Sequence, residues 1–259
     1  MQITDAVVVV TGGASGIGAA LARRFSADGA RHVVVVDREQ AAAQSVADEV
    51  GGTAEVVDVA DRAAVDALVE RTLAREGRID LFCSNAGIAT GVGVEDEDPA
   101  DLWHRAFDVN VMAHVHAARA VLPSMLERGS GHLLNTASAA GLLVSPNDAP
   151  YTATKHAAVG LAEWLSVTYG GRGIGVSVLC PLGVATPLLM GPLAEGEAGA
   201  KAVAASGDII TPEQVADAVA EGLAAGRFLI LPHPQVGKFW SQKASDPDRW
   251  LASMQRAFG

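Results

Sequence analysis

The sequence predicts a single doubly wound α/β domain, about seven parallel strands flanked by helices on both faces. Three observations predict it. Short apolar runs of strand length alternate with longer Ala-rich segments of helical spacing along the 259 residues, the pattern of right-handed βαβ crossovers. The composition is 49% hydrophobic with only 4 Trp, 2 Tyr and 6 Phe, which suits thin helices packed on a parallel sheet. Polar and glycine-rich clusters recur where the apolar runs end, the sheet edge at which such folds bind ligands.

In chain order, the strand-like runs are residues 6–10, 32–36, 53–57, 81–84, 132–136, 175–179 and 228–231. Between them, apolar residues at helical intervals mark helices over 16–28, 41–50, 63–76, 100–127, 151–169 and 212–225, enough to cover two sheet faces. Pro99 and Pro212 stand where a first helical turn accepts proline, preceded by Asp98 and Thr211 as N-caps. Residues 187–208, rich in Leu, Gly, Ala and Glu, form the one long irregular stretch, a substrate lid or a disordered segment. Residues 232–259, with Trp240 and Trp250, read as a terminal helix packed on the body or capping a neighbour's pocket.

A net charge of −11 with 19 scattered basic residues argues against a nucleic-acid partner. Cys83 and Cys180 stand alone, and His114 and His116 are two apart and point to different sides of a helix, so no metal site is expected. The N-terminus runs into a strand without a basic leader, and no apolar stretch reaches about 18 residues. A cytoplasmic protein with no membrane span is expected.

The first strand leads directly into Thr11-Gly12-Gly13-Ala14-Ser15-Gly16-Ile17-Gly18 and then a helix. Gly12 permits a sharp turn, Gly16 lets the backbone approach a pyrophosphate, and Gly18 lets helix and strand pack closely. A glycine-rich tight turn would also read this way, but its place after the first strand favours a Rossmann-type dinucleotide site. Asp37 ends the second strand, where a carboxylate accepts ribose hydroxyls and repels a 2′-phosphate, so NAD is preferred over NADP. Arg38 beside it could instead pair with that phosphate. Asp58 and Val59 end the third strand, and Asn85-Ala86-Gly87 the fourth.

Tyr151 and Lys155 are four residues apart at the start of a helix and share one face, with Ser138 upstream after the fifth strand. A phenol of pKa about 10 needs roughly 4 kcal/mol of preference for phenolate to titrate near 7, about what one ammonium 4 Å away gives at an effective dielectric near 20.

Taken together, TGGASGIG, Asp58, SNAG, Asn110, Ser138 and YTATK resemble the short-chain dehydrogenase/reductase family in order and approximate spacing, over about residues 5–190. The resemblance implies that Ser138 orients the substrate oxygen, Tyr151 exchanges its proton, and Lys155 holds the nicotinamide ribose and acidifies Tyr151. It implies that Asn110 anchors a relay water, although a helix-surface amide is the alternative. Pro181, Val184 and Thr186 match positions near the nicotinamide, while Leu182 and Ser84 depart from the usual glycine and asparagine. It also implies a homotetramer or homodimer. The expected activity is reversible, NAD-dependent oxidation of a moderately apolar secondary alcohol to its ketone. NADP-dependent carbonyl reduction, dehydration or epimerisation on the same frame, and dinucleotide sensing without turnover are the alternatives.

Overall fold

The computed structural model describes residues 1–97 and 101–258. Its strands are β1 (Val7–Thr11), β2 (His32–Asp37), β3 (Thr53–Val56), β4 (Leu81–Ser84), β5 (Gly131–Thr136), β6 (Ile174–Leu179) and β7 (Leu229–Ile230). All pair in parallel, in the order β3-β2-β1-β4-β5-β6-β7. Strand order reverses between β1 and β4, and a crevice opens there beyond their carboxyl ends.

Eleven α-helices occur among the described residues: α1 (Gly16–Ala27), α2 (Gln40–Val50), α3 (Arg62–Glu76), α4 (Leu102–Phe107), α5 (Ala113–Arg128), α6 (Ala149–Tyr169), α7 (Pro187–Ala194), α8 (Ala198–Ala205), α9 (Pro212–Ala224), α10 (Pro234–Ser245) and α11 (Pro247–Phe258). Successive strand side chains point to opposite faces, so β1 feeds two cores. Val8 and Val10 pack with Leu21 and Phe25 of α1 and Val219 and Leu223 of α9. Val9 packs on the other face with Leu68 of α3, Val121 and Met125 of α5, and Leu165 of α6.

Local chemistry sets the helix ends. Thr211 and Gln214 exchange side-chain and backbone hydrogen bonds at the start of α9, with Pro212 in the first turn. Asp61 caps α3 by accepting from the amides of Ala63 and Ala64. The expected cap Asp98, with Pro99 and the helix start at Ala100, lies outside the described residues.

Three expectations change. The long helix over 100–127 is divided, because Asp108–Met112 winds as a wide π-turn between α4 and α5; such turns gather at functional sites. The stretch 187–208 is not irregular: it carries α7 and α8, the first started by Pro187 and the second following the left-handed Gly196. The tail is two helices rather than one, broken at Asp246-Pro247, because proline disfavours helical backbone in the residue before it.

Candidate active site

The turn after β1 is tied to the end of β4 by one hydroxyl. Thr11 Oγ1 accepts from the amides of Asn85 (2.9 Å) and Ala86 (3.1 Å) and donates to the Cys83 carbonyl (3.2 Å). Asn85 Nδ2 returns a bond to the Thr11 carbonyl at 3.0 Å. Gly12 and Gly16 have φ of +63° and +51°. A Cβ on Gly18 would lie 2.0 Å from the Gly12 carbonyl oxygen, and one on Gly12 would lie 2.9 Å from the Ala86 Cα. Only glycine fits this close approach of turn, helix and β4 loop.

The Ser15 side chain makes no capping bond at the start of α1, so first-turn amides there are available to an anion at the positive end of the helix dipole. Asp37 accepts from the amides of Ala14 (3.1 Å) and Arg38 (2.7 Å), which fixes its carboxylate at the rim of the crevice. Asp58 accepts from Arg105 at 2.9 Å. Burial alone would raise the Asp58 carboxyl, but the Ala60 amide and the Arg105 and Arg38 charges outweigh it and hold it below its ordinary value.

Ser138, Tyr151 and Lys155 come from the end of β5 and the first turns of α6. Asp148 caps α6 by accepting from the Tyr151 amide (3.0 Å), and it also accepts from the amides of Thr90 (2.8 Å) and Gly91 (3.0 Å) and from the Thr90 hydroxyl (2.7 Å). Lys155 Nζ donates to the Thr136 carbonyl at 3.1 Å and lies 5.4 Å from the Tyr151 ring centroid. Ser138 Oγ accepts from the Ala140 amide at 3.1 Å. Asn110 is fully buried. Its Oδ1 accepts from the Ile88 amide (2.9 Å), while its Nδ2 donates to the Ile88 carbonyl (2.9 Å) and to Thr154 Oγ1 (3.1 Å). It therefore clamps the β4 loop to α6 instead of lying on a helix surface.

Burial reverses the acidity expected of Tyr151. Desolvation pushes the phenol up to about 12, against a lowering contribution from its hydrogen bond with Ser138. The same burial pushes the Lys155 ammonium down to about 8. The attraction between the two groups is smaller than the cost of removing both from water.

A single cavity of about 1030 Å³ is lined by Gly12, Ser15, Gly16, Ile17, Asp37, Arg38, Asp58, Val59, Asn85, Ala86, Gly87, Ser138, Tyr151, Lys155, Pro181, Val184 and Thr186. Two expected residues stay behind its wall: Gly18 packs on the turn, and Asn110 braces the loop. A cradle that Cβ atoms would fill, an uncapped helix start and a strand-end carboxylate fit a dinucleotide. Leu182 keeps its place through His233, whose Nδ1 accepts from the Leu182 amide (3.2 Å) while Nε2 donates to the Gly183 carbonyl (3.0 Å).

Sequence reading missed Asp148, Arg105 and His233. Asp148 was findable, since an acidic residue two before Pro150 is an N-cap signal. The other two act across sequence separations of 47 and about 50 residues, which local pattern does not reveal. The tail also contributes to the cavity of its own chain, through Phe239, Gln242, Trp250, Ser253, Met254 and Phe258.

Sheet order, glycine turn and crevice define an α/β protein of the Rossmann class. A family model described as short chain dehydrogenase matches residues 6–198. The chain belongs to the short-chain dehydrogenase/reductase family. It is 37% identical over 259 residues, covering 97% of this chain and 93% of the relative, to 1-deoxy-11-beta-hydroxypentalenate dehydrogenase of Streptomyces avermitilis. It is 36% identical over 194 residues, 73% of each chain, to levodione reductase of Leifsonia aquatica. Among solved structures it is similar to a short chain dehydrogenase/reductase from Burkholderia phymatum in complex with NAD, with a TM-score of 0.84, 31% identity and 96% of each chain covered. Among the described residues, no helix is long and apolar enough to cross a membrane, and no group of three or more His, Cys, Asp or Glu could hold a metal ion.

Proposed function

We propose that this chain is an NAD-dependent oxidoreductase that interconverts a secondary alcohol and its ketone, with Tyr151 as general acid/base. The observation that carries the reading is the convergence of Ser138, Tyr151 and Lys155 on the cavity that also holds the glycine turn and Asp37. Relatives named as a dehydrogenase and a reductase, and a solved relative in complex with NAD, agree with it. When bound, the nicotinamide supplies the hydride acceptor for oxidation and, in its reduced form, the donor for reduction.

The chain's own residues orient the substrate and move the proton. Ser138 holds the substrate oxygen beside the phenol. Tyr151, protonated at neutral pH because burial raises it to about 12, gives its proton to that oxygen in reduction and receives one from the hydroxyl in oxidation. Lys155, anchored on Thr136, stabilises the phenolate and would hold the nicotinamide ribose. Asn110 keeps the β4 loop and α6 in register. Asp37 favours NAD, because its carboxylate repels a 2′-phosphate and the Arg38 charge is already felt by Asp58. Self-association through α4 to α6 belongs to the same reading, since Trp164 and Val167 leave an apolar patch exposed on α6.

The test follows the absorbance of reduced nicotinamide with purified protein, a panel of secondary alcohols and either NAD or NADP. Turnover with NAD well above NADP is expected. Tight NAD binding without turnover of any alcohol would identify a dinucleotide sensor instead.

A further inference from the structure

The C-terminal helix α11 has an apolar face with little protein beneath it. Trp250, Met254 and Phe258 are spaced by four residues and share that face, and all three line the cavity. No residue of α11 is fully buried. The helix packs on α10, one side chain of which reaches both α11 and the cavity wall. Lys243 Nζ donates to the carbonyls of Leu142 (2.8 Å) and Leu143 (3.0 Å) and lies 5.3 Å from the Trp250 ring centroid. Leu142 and Leu143 follow closely on Ser138, so the lysine pins the tail to the wall beside the reactive centre. Lys243 does not itself line the cavity.

Leu143, Val144 and Leu188 add apolar wall to the same cavity. The charged side chains on this half are Asp148 and Glu197. Asp148 is engaged by Thr90, Gly91 and Tyr151, and Glu197 would repel an anion. Among the described lining residues the cations are Arg38 and Arg105, on the side of Asp37 and Asp58, and Lys155 beside Tyr151.

We propose that the substrate is a bulky, uncharged, apolar alcohol or ketone seated against Trp250, Met254 and Phe258, and that Lys243 is the positioning residue holding this roof in place. The proposal rests on the redox reading of the same cavity and adds size, charge and a roof to it. A half-covered apolar face over a cavity gains from an apolar ligand, whereas a small alcohol leaves it wet. A carboxylate placed there loses its hydration, and the nearby Lys243 ammonium is already engaged by the Leu142 and Leu143 carbonyls.

The test uses the full chain saturated with NAD and three probes: cyclohexanol, 2-decalol, and a decalin carrying both a secondary hydroxyl and an ionised carboxylate. Binding is measured by calorimetry and turnover by nicotinamide absorbance. At least about tenfold tighter binding of 2-decalol than of either other probe is expected. Trp250→Ala and Lys243→Ala should raise KM for 2-decalol about tenfold, leave kcat within about twofold and NAD affinity unchanged, and bring it level with cyclohexanol. Lys243→Arg should restore most of the loss. Equal or tighter binding of cyclohexanol or the carboxylate, or variants that weaken every probe alike, overturns the proposal. Selective binding of 2-decalol without turnover leaves the roof standing and removes the redox reading instead.

Discussion

Lys155 holds its ammonium 5.4 Å from the centroid of the Tyr151 ring while donating to the Thr136 carbonyl at 3.1 Å. A full charge at that range is worth about 3 kcal/mol at an effective dielectric of 20. Both groups are buried, however, so the phenol rises to about 12 and the ammonium falls to about 8. The pair therefore holds a protonated tyrosine at neutral pH, with a cation ready to stabilise its anion.

This arrangement gives the two reaction directions different pH profiles. Oxidation needs the phenolate, so its kcat/KM should climb with pH up to the region near 8, where Lys155 loses the charge that stabilises it. Reduction needs the phenol and the same cation, so its kcat/KM should be level below about pH 8 and fall above it. Tyr151→Phe should lower both by about 10²- to 10⁴-fold while leaving NAD affinity intact, because only the exchangeable proton is removed. Steady-state rates in both directions and a dinucleotide titration check this, and undiminished turnover in the variant would end the tyrosine assignment.

Two glycines separate steric need from backbone need. Gly77 has φ +77° with nothing within 4 Å of an added methyl, whereas a methyl on Gly18 would lie 2.0 Å from the Gly12 carbonyl oxygen. Gly77→Ala should cost about 1–2 kcal/mol, the strain of left-handed backbone. Gly18→Ala should cost about 3 kcal/mol or more and weaken dinucleotide binding, since the turn must move to admit it. Denaturant midpoints and NAD titrations of the two variants distinguish them; equal losses would refute the tight packing of turn on helix.

Much of this was legible in the sequence because it is local. Strand cores such as Val7–Thr11 and His32–Asp37 are continuous apolar runs, and the glycine turn, Asp37 and the Tyr151–Lys155 pair each sit at an element boundary that periodicity marks. The π-turn at Asn110 was not legible, nor were the bonds Asn110 makes there to Ile88 and Thr154, 22 and 44 residues away. Nor was the tail's return to the cavity, where Lys243 reaches carbonyls about 100 residues upstream. The tyrosine pKa went astray for a related reason: spacing shows which charges are near but not how much water is lost.

Asp37 separates a structural from an electrostatic contribution. Its carboxylate accepts from the amides of Ala14 and Arg38, so Asp37→Ala loosens the turn as well as removing the charge. Asp37→Asn keeps the shape and one acceptor oxygen but replaces the second acceptor with an amide NH2. Both variants should bind NAD more weakly and narrow the preference over NADP, with the alanine variant losing more NAD affinity. Dissociation constants for the two dinucleotides measure this, and a parent protein that already prefers NADP would contradict the assignment.

Acid should destabilise the fold well above the carboxylate range, through two buried histidines. His114 is pushed down to about 3, chiefly by burial and then by the Lys155 charge, and Asn135 only partly opposes this. Asn135 comes close enough to favour the charged ring, yet neither ring nitrogen has a partner of hydrogen-bond geometry. Burial and then the N-terminal charge push His132 down to about 4. A histidine whose folded value lies below its ordinary 6.5 binds protons more readily when unfolded. Its neutral form therefore contributes fully above about pH 6.5, and that contribution is lost as pH falls toward the folded value. Each tenfold difference in proton affinity is worth about 1.4 kcal/mol, so a drop from pH 7 to 4 should cost several kcal/mol across the pair. Asp58, held below its ordinary 3.8, loses its contribution only at lower pH. The thermal midpoint should therefore decline steadily between pH 6.5 and 4. His114→Gln should flatten that decline even if it lowers the midpoint at pH 7; an unchanged slope would mean that His114 is not held neutral in the folded chain.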